Sequence, residues 1–243
     1  ASPRLPSLSS CRYLDRLLDA EGSADKLKSQ LAAEKSLIED NGFLQGDQAD
    51  YDKGLCLLRT SVIRFLQTTQ PNEWRQYKHQ VGEESETKIL KRICKVIDKK
   101  GTHHLLLNGV DESGHHFKIC HMPPVSGLNP ELERLFEQNF FQVIRDNFYF
   151  SETTNESVDM VLFLNGCPLF TVELKNKMTE QNISHGVKQY RKRDHTEPLF
   201  LFGRCISHFA ADTEEVYFTT ELKGASTRFL PFNQGYDGGK GNE

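Results

Sequence analysis

The 243-residue sequence contains no run approaching the roughly 18 apolar residues that a bilayer-spanning helix requires. Its first ten residues lack a charged start followed by an apolar block, so no secretory signal is expected. No C-x-x-C pair occurs. The six cysteines (Cys11, Cys56, Cys94, Cys120, Cys167 and Cys205) are far apart, which argues against a zinc site and a disulfide framework and for free thiols in a reducing cytoplasm. There is no internal repeat and no long low-complexity stretch. No G-x-x-x-x-G-K-[ST] phosphate loop is present, and Gly238-Gly239-Lys240-Gly241 does not fit one. A strong basic balance is missing too: the net charge is −4 and the pI about 6.2. That excludes a wholly basic nucleic-acid coat but leaves room for a local basic groove on an acidic body.

What is present is a globular composition, 37% hydrophobic and 26% charged, in a chain long enough for one sizeable core. The pattern changes near residue 100. Before it, Ser23-Ala24-Asp25 precedes a helix over 26–40, with Gly42 as a stop signal. Leu55, Leu58, Val62, Phe65 and Leu66 recur at helical spacing, Pro71-Asn72-Glu73 opens a helix carrying Trp74 and Tyr77, and Ile89, Ile93 and Val96-Ile97 mark another. After it, 103–107 and 115–121 read as a hairpin. Leu132, Leu135 and Phe136 mark a short helix, and 140–145 a strand. Further strands are expected at 199–202 and 216–219, and a helix at 183–193.

The informative stretch runs from Val158 to Lys175. Val158–Leu164 is almost wholly apolar, as in a strand buried on both faces. Asn165-Gly166 is the favoured dipeptide of a two-residue hairpin turn, and 167–175 returns as the partner strand, with Pro168 near its start. Asp159, Glu173 and Lys175 are set into these apolar strands, where ionised groups are costly unless paired or bound to an ion. Strand alternation points Glu173 and Lys175 the same way, and pairing across the hairpin brings Asp159 toward them. Carboxylate oxygens are the donors Mg²⁺ prefers, and a bound metal lowers the pKa of a water and neutralises phosphoryl charge. An adjacent lysine stabilises developing charge. The ordinary alternative is a cross-face salt bridge.

A basic cluster follows: Lys175, Lys177, Lys188, Arg191, Lys192 and Arg193. On a helix, Ile183, Val187 and Tyr190 form one apolar stripe, flanked by Asn182, Gly186, Gln189 and Arg193. Docking the stripe on the sheet tips this flank toward the site, where Gln189 and Arg193 meet a phosphate backbone. For Lys188 and Lys192 a solvated face is the better reading. Other candidates are weaker. His103-His104 and His115-His116 with His121 are better read as exposed strand positions than as a metal cluster, and nothing marks Cys205 with His208 as an activated thiol. Asp146 and Glu131 are possible supporting groups behind the metal ligands.

Asp159…Glu173-Leu174-Lys175 resembles the PD-(D/E)xK nuclease motif, with Val158 in place of the proline. The surrounding residues resemble the N-terminal nuclease region of type I restriction enzyme R subunits. These are Val143-Ile144-Arg145, Val158–Leu169, Val172–Asn176, Gln189-Tyr190-Arg191, His208-Phe209-Ala210, Phe229–Gly235 and, upstream, Phe65–Pro71 with Trp74. The likeness runs from about residue 60 to the end of the sequence. It implies an α/β fold of the restriction endonuclease-like kind, a mixed central β-sheet flanked by helices, with an N-terminal helical segment. It implies Mg²⁺ held by Asp159, Glu173 and the Leu174 backbone carbonyl, with Lys175 as catalytic lysine. Gln189, Arg193, Lys177 and Arg145 are the expected DNA contacts. The family's Q-x-x-x-Y pattern is met by Gln189, but Arg193 stands where the tyrosine is expected.

The expected division is a helical segment over 1–99 packed on the core, a nuclease core over 100–234, and a Gly-rich tail over 235–243 leading toward absent translocase domains. The expected partners are double-stranded DNA and the methylation and specificity subunits, with ATP used only by the full-length subunit. Two other readings stay open: a non-catalytic DNA-binding or assembly module, and a repair or recombination nuclease of the same superfamily.

Overall fold

The hairpin expected around Asn165-Gly166 is the frame on which the rest is built. The computed structural model describes residues 26–124, 129–175, 183–212 and 214–232. The expectations for Lys177, Asn182 and the tail after residue 234 lie outside these residues. In chain order the helices are α1 (Lys26–Lys35, continued by a π turn at Ser36–Asp40), α2 (Arg59–Thr69), α3 (Pro71–Val81), α4 (Ser85–Asn108), α5 (Pro130–Glu137) and α6 (Ile183–Lys192). The strands are β1 (Leu44–Gln45), β2 (Tyr51–Asp52), β3 (Leu57–Leu58), β4 (Val110–Glu112), β5 (His115–Phe117), β6 (Phe141–Tyr149), β7 (Ser157–Leu164), β8 (Cys167–Leu174), β9 (Ser207–Ala211), β10 (Val216–Thr219) and β11 (Leu230–Pro231).

Seven strands form one sheet in the order β1-β6-β7-β8-β9-β10-β11. The β1–β6 and β8–β9 pairs are parallel and the rest antiparallel, so the fold is α/β with a mixed central sheet. Asn165 and Gly166 both take positive φ, 50° and 85°, as the tight turn demands. Asn165 is fully buried. Its side-chain oxygen accepts from the Phe140 N–H, and its amide donates to Ile119 O and Asn139 Oδ1, each at 2.9 Å. A turn residue thus ties the hairpin to β6 and to the chain after β5.

Apolar side chains gather on both faces of the sheet. One face packs Met160, Leu162, Val172 and Leu174 against Ala33 and Leu37 at the N-terminal helix. The other packs Val161, Phe163 and Ala210 with Tyr190 of α6. A third cluster buries Leu164, Cys167 and Leu169, at the turn end of the hairpin, under α2, α3 and α4. Pro71 opens α3, which buries Trp74 and Tyr77, as the sequence pattern indicates, and the short helix marked by Leu132, Leu135 and Phe136 is α5, which begins at an Asn129 cap.

Three expectations are corrected. Leu55 and Leu58 are not helical; Leu58 lies in β3, and α2 starts at Arg59. Residues 103–107 are not a strand. After a kink at Gly101, whose backbone is non-helical (φ 85°, ψ 159°), a second helical segment runs to Asn108, because Leu105 and Leu106 reach the core and the chain there is anchored by its neighbour. Thr102 N–H donates to Gly203 O (2.7 Å) and its hydroxyl to Arg204 O (2.6 Å). The hairpin shrinks to β4 and β5 around Ser113-Gly114. Residues 199–202 are not a strand either: Pro198–Phe200 is a 3-10 turn that buries Leu199 and Phe200 and leaves Phe202 exposed. The strand in that region is β9, which joins β8 in parallel and which no sequence signal had marked. No helix among the described residues is long and apolar enough to cross a membrane.

Candidate active site

The β7–β8 register pairs Met160 with Val172, so Asp159 and Glu173 stand beside each other at the next step of the ladder. Both are buried, Asp159 at 3% and Glu173 at 0% exposure, and Lys175 joins them at 6%. Asp159 Oδ2 accepts from the Leu174 N–H at 2.9 Å and lies 3.6 Å from Lys175 Nζ. Lys175 Nζ donates to Glu173 Oε2 at 3.1 Å. The three groups expected from the sequence to converge therefore do so, on the face covered by α6.

A fourth charge completes the group. Arg193, just past α6, donates through Nη2 to Glu173 Oε1 and to Ser157 O (2.5 Å), and its Nη1 lies 3.7 Å from Glu156. Its guanidinium sits against the rings of Phe150, Tyr190 and Phe200, 5.2 to 5.8 Å from their centroids. Burial raises the pKa of Glu173, and the neighbouring Asp159 raises it further; Arg193 and Lys175 oppose both effects. Two carboxylates and two cations make a locally balanced cluster, which is how buried charges are tolerated.

Close approach of α6 makes this possible. A Cβ on Gly186 would lie 3.1 Å from Ala210 Cβ, 3.5 Å from Lys175 Cγ and 3.7 Å from Glu173 Cβ, so the helix rests directly on the site at this residue. Beneath it lies a polar network that the sequence did not disclose. Thr171 Oγ1 is 2.8 Å from both Tyr190 OH and His208 Nδ1, all fully buried. Burial, with Arg193 adding repulsion, lowers the His208 pKa to about 3, so its ring is neutral. Tyr190 sits on the apolar stripe as expected, but its hydroxyl is spent on Thr171. Burial, with the charge of Glu173 adding to it, holds that phenol well above its usual pKa.

The remaining candidates separate. Gln189 is half-buried on α6. Arg193, expected to meet phosphate, is turned inward to Glu173. Arg145 is on the opposite face of the sheet: it pairs in register with Met160 and is bonded to Glu34 of α1. That placement removes it from the group around Glu173. Glu131 is exposed in the first turn of α5. The Asp146 side chain lies outside what is described. The histidines are dispersed: His103 and His104 lie in α4, His115 bonds Glu73 and Gln80, and His116 bonds Asp111. Cys205 is buried with its thiol pKa raised by burial, and its Sγ donates to Leu199 O, so it is not an activated nucleophile. Among the described residues no three His, Cys, Asp or Glu gather as a metal cluster. The protein donors at the site are two carboxylates, a set of the hard oxygen kind that fits Mg²⁺.

The family model described as Type I restriction enzyme R protein N terminus (HSDR_N) matches residues 67–227, which include β6 to β10, α6 and every residue of the charged cluster. No curated protein matches the chain.

Proposed function

The chain belongs to the family of type I restriction enzyme R protein N-terminal domains, and from this we propose that it is the Mg²⁺-dependent endonuclease domain of such an R protein, hydrolysing phosphodiester bonds of double-stranded DNA. The observation that carries the reading is the pair Asp159 and Glu173, buried side by side on adjacent strands with Lys175 bonded to one and within 4 Å of the other. Asp159, Glu173 and the Leu174 backbone carbonyl would hold Mg²⁺. When bound, the metal supplies an activated water and neutralises charge building on the phosphate. Lys175, tied to both carboxylates, holds a positive charge where a phosphoryl oxygen becomes more negative. Gln189 on α6 and Lys177 contribute DNA contacts. Methylation and specificity subunits choose the DNA sequence, and ATP-driven translocation belongs to other parts of the R protein, since this sequence has no phosphate loop.

The test is cleavage of unmodified duplex DNA by the assembled complex with ATP and Mg²⁺. Asp159→Asn, Glu173→Gln and Lys175→Ala are expected to leave DNA uncut while the domain keeps its circular dichroism spectrum. Cutting at the wild-type rate by any one of them overturns the assignment.

One observation favours a second reading, a DNA-binding module without catalysis: both oxygens of Glu173 are taken, one by Arg193 and one by Lys175. The two readings separate on Mg²⁺ affinity measured by calorimetry with duplex DNA present. Binding that Asp159→Asn and Glu173→Gln each remove supports the nuclease, and no binding supports the module.

A further inference from the structure

The basic charge of this acidic chain is concentrated on one helical layer. Residues 59–100 carry ten Lys or Arg against five Asp or Glu, whereas the whole chain carries 30 against 34. The concentration peaks on α4. Between residues 88 and 100 there are six cations and one carboxylate, Asp98. That carboxylate is already neutralised, because Arg204 donates to it from the buried side.

The amphipathic pattern of α4 sorts these charges onto one surface. Ile89, Leu90, Ile93 and Ile97 are buried in the cluster beneath the hairpin turn. Lys91, Lys95 and Lys99 follow at intervals of four on the opposite face, and all three are exposed. Lys88 pairs with Glu84 and Arg92 with Glu112, but Lys91, Lys95 and Lys99 form no ion pair with any carboxylate among the described residues. Like charges four apart on a helix cost a few tenths of a kcal/mol per pair. The break at Gly101 puts Lys99 in a final helical turn, where a cation is favoured, but that position does not account for Lys91 and Lys95 in line with it.

We infer that the Lys91-Lys95-Lys99 face of α4 is a docking tract for the phosphate backbone of duplex DNA, separate from the carboxylate site. The choice of DNA as occupant rests on the nuclease reading above; the tract itself rests on charge and exposure. From Lys91 to Lys99 the stripe extends about 12 Å, at 1.5 Å per residue. Duplex DNA presents one negative charge per roughly 1.7 Å of its axis, so a row of this length spans about seven phosphate charges. The tract lies over the turn end of the hairpin, whereas Glu173 is six residues along β8 from Cys167, roughly 20 Å at 3.3 Å per residue. A duplex held at α4 is therefore anchored away from the bond that is cut, and the contact carries no base sequence information.

The experiment is a salt titration of duplex DNA binding by the full 243-residue chain, read by fluorescence anisotropy without divalent metal. The variant Lys91→Gln/Lys95→Gln/Lys99→Gln is compared with a control of equal charge loss elsewhere, Lys35→Gln/Lys118→Gln/Lys223→Gln. Removing three phosphate contacts is expected to make the slope of log K against log salt shallower by about 2.7. The control is expected to keep the wild-type slope. Equal slopes for wild type and the α4 variant, equal losses in both variants, or no DNA binding by the wild-type chain each overturn the inference. So does a stripe that binds heparin but not duplex DNA. Failure here is distinguishable from failure of the nuclease reading: Glu173→Gln is expected to abolish cleavage and leave the salt slope unchanged. An α4 variant that binds as wild type while Glu173→Gln stops cleavage refutes the tract and leaves the nuclease standing.

Discussion

Arg193 binds Glu173 across the space between the end of α6 and strand β8, and the pair is almost wholly shielded from water. The arginine sits four residues after Gln189, its backbone N–H donating to Gln189 O. It therefore belongs to the same helical turn that the sequence had pointed toward DNA. Its role is instead to supply one of two positive charges that let Glu173 and Asp159 coexist in the sheet. Against a phosphate it would add attraction; against Glu173 it opposes the burial and the Asp159 charge that raise the carboxylate's pKa.

Breaking the pair from one side is expected to be costly, because a lone buried charge remains. Arg193→Gln should destabilise the chain by about 3–5 kcal/mol. Glu173→Gln removes one of two adjacent carboxylates but strands Arg193. The double variant should be more stable than the sum of the single losses, with a coupling energy of about 1–3 kcal/mol. Urea midpoints of the four proteins measure this cycle. Additive single losses would show that the two side chains do not interact in solution.

His208 makes stability depend on pH. In the folded protein it titrates at about 3, in the unfolded chain near 6.5. Between those values the unfolded state holds the extra proton, so stability is complete above about pH 6.5 and falls as pH drops. The expected slope attributable to this residue is about 1.4 kcal/mol per pH unit. Burial of Glu173 acts in the opposite direction. Its folded-state pKa is raised, so protonation in acid relieves part of its cost. His208→Asn should flatten the acid limb of a stability–pH curve between pH 6 and 4. An unchanged limb would mean that the ring is protonated or accessible in the folded state.

The hairpin was legible because its signals are local. An apolar strand, an Asn-Gly turn and a second apolar strand specify the hairpin, but the turn alone would set Asp159 opposite Val172. A one-residue register shift between Phe163 (paired with Pro168) and Leu162 (paired with Phe170) brings it beside Glu173, and nothing local in the sequence marks that bulge. Lys175 follows from strand alternation. The bond of Arg193 to Glu173 is not legible in the sequence, since its direction depends on the ring cage of Phe150, Tyr190 and Phe200, contributed by separated segments. The face occupied by Arg145 is hidden for a related reason: one strand has two faces, and only the pairing with Met160 tells which is occupied. Strand β9 escaped notice because His208, a polar residue within it, is paired through Thr171, a contact 37 residues away in sequence.

The turn itself supplies a sharper test of register. A Cβ at Gly166 would lie 2.7 Å from Leu58 O and 2.7 Å from Val62 Cγ2, and the residue takes φ +85°. Its own carbonyl accepts from the Leu58 N–H at 2.9 Å, so the turn cannot swing aside without losing that bond. Gly166→Ala is expected to cost about 1–3 kcal/mol from backbone conformation alone, with steric conflict added. The readout is the thermal unfolding midpoint. A wild-type midpoint would mean that the hairpin turn is not held against α2 as described.

Gly186 links the packing of α6 to the chemistry. Alanine would gain roughly 1 kcal/mol of helix propensity over glycine at this helical position, but its Cβ would press on Ala210 and on the stem of Lys175. Valine brings two further carbons; Ala210, completely buried in β9, cannot give way to them, so the Lys175 stem must. Gly186→Val is therefore expected to lift α6 from the sheet at a cost of about 1–3 kcal/mol. The displaced helix also releases Lys175 from its fixed position between Asp159 and Glu173. In the assembled restriction complex, single-turnover cleavage should then slow at saturating DNA, where a weakened Gln189 contact on the same helix no longer limits the rate. A stable Gly186→Val variant that cleaves at the wild-type rate would show that α6 does not set the position of the lysine.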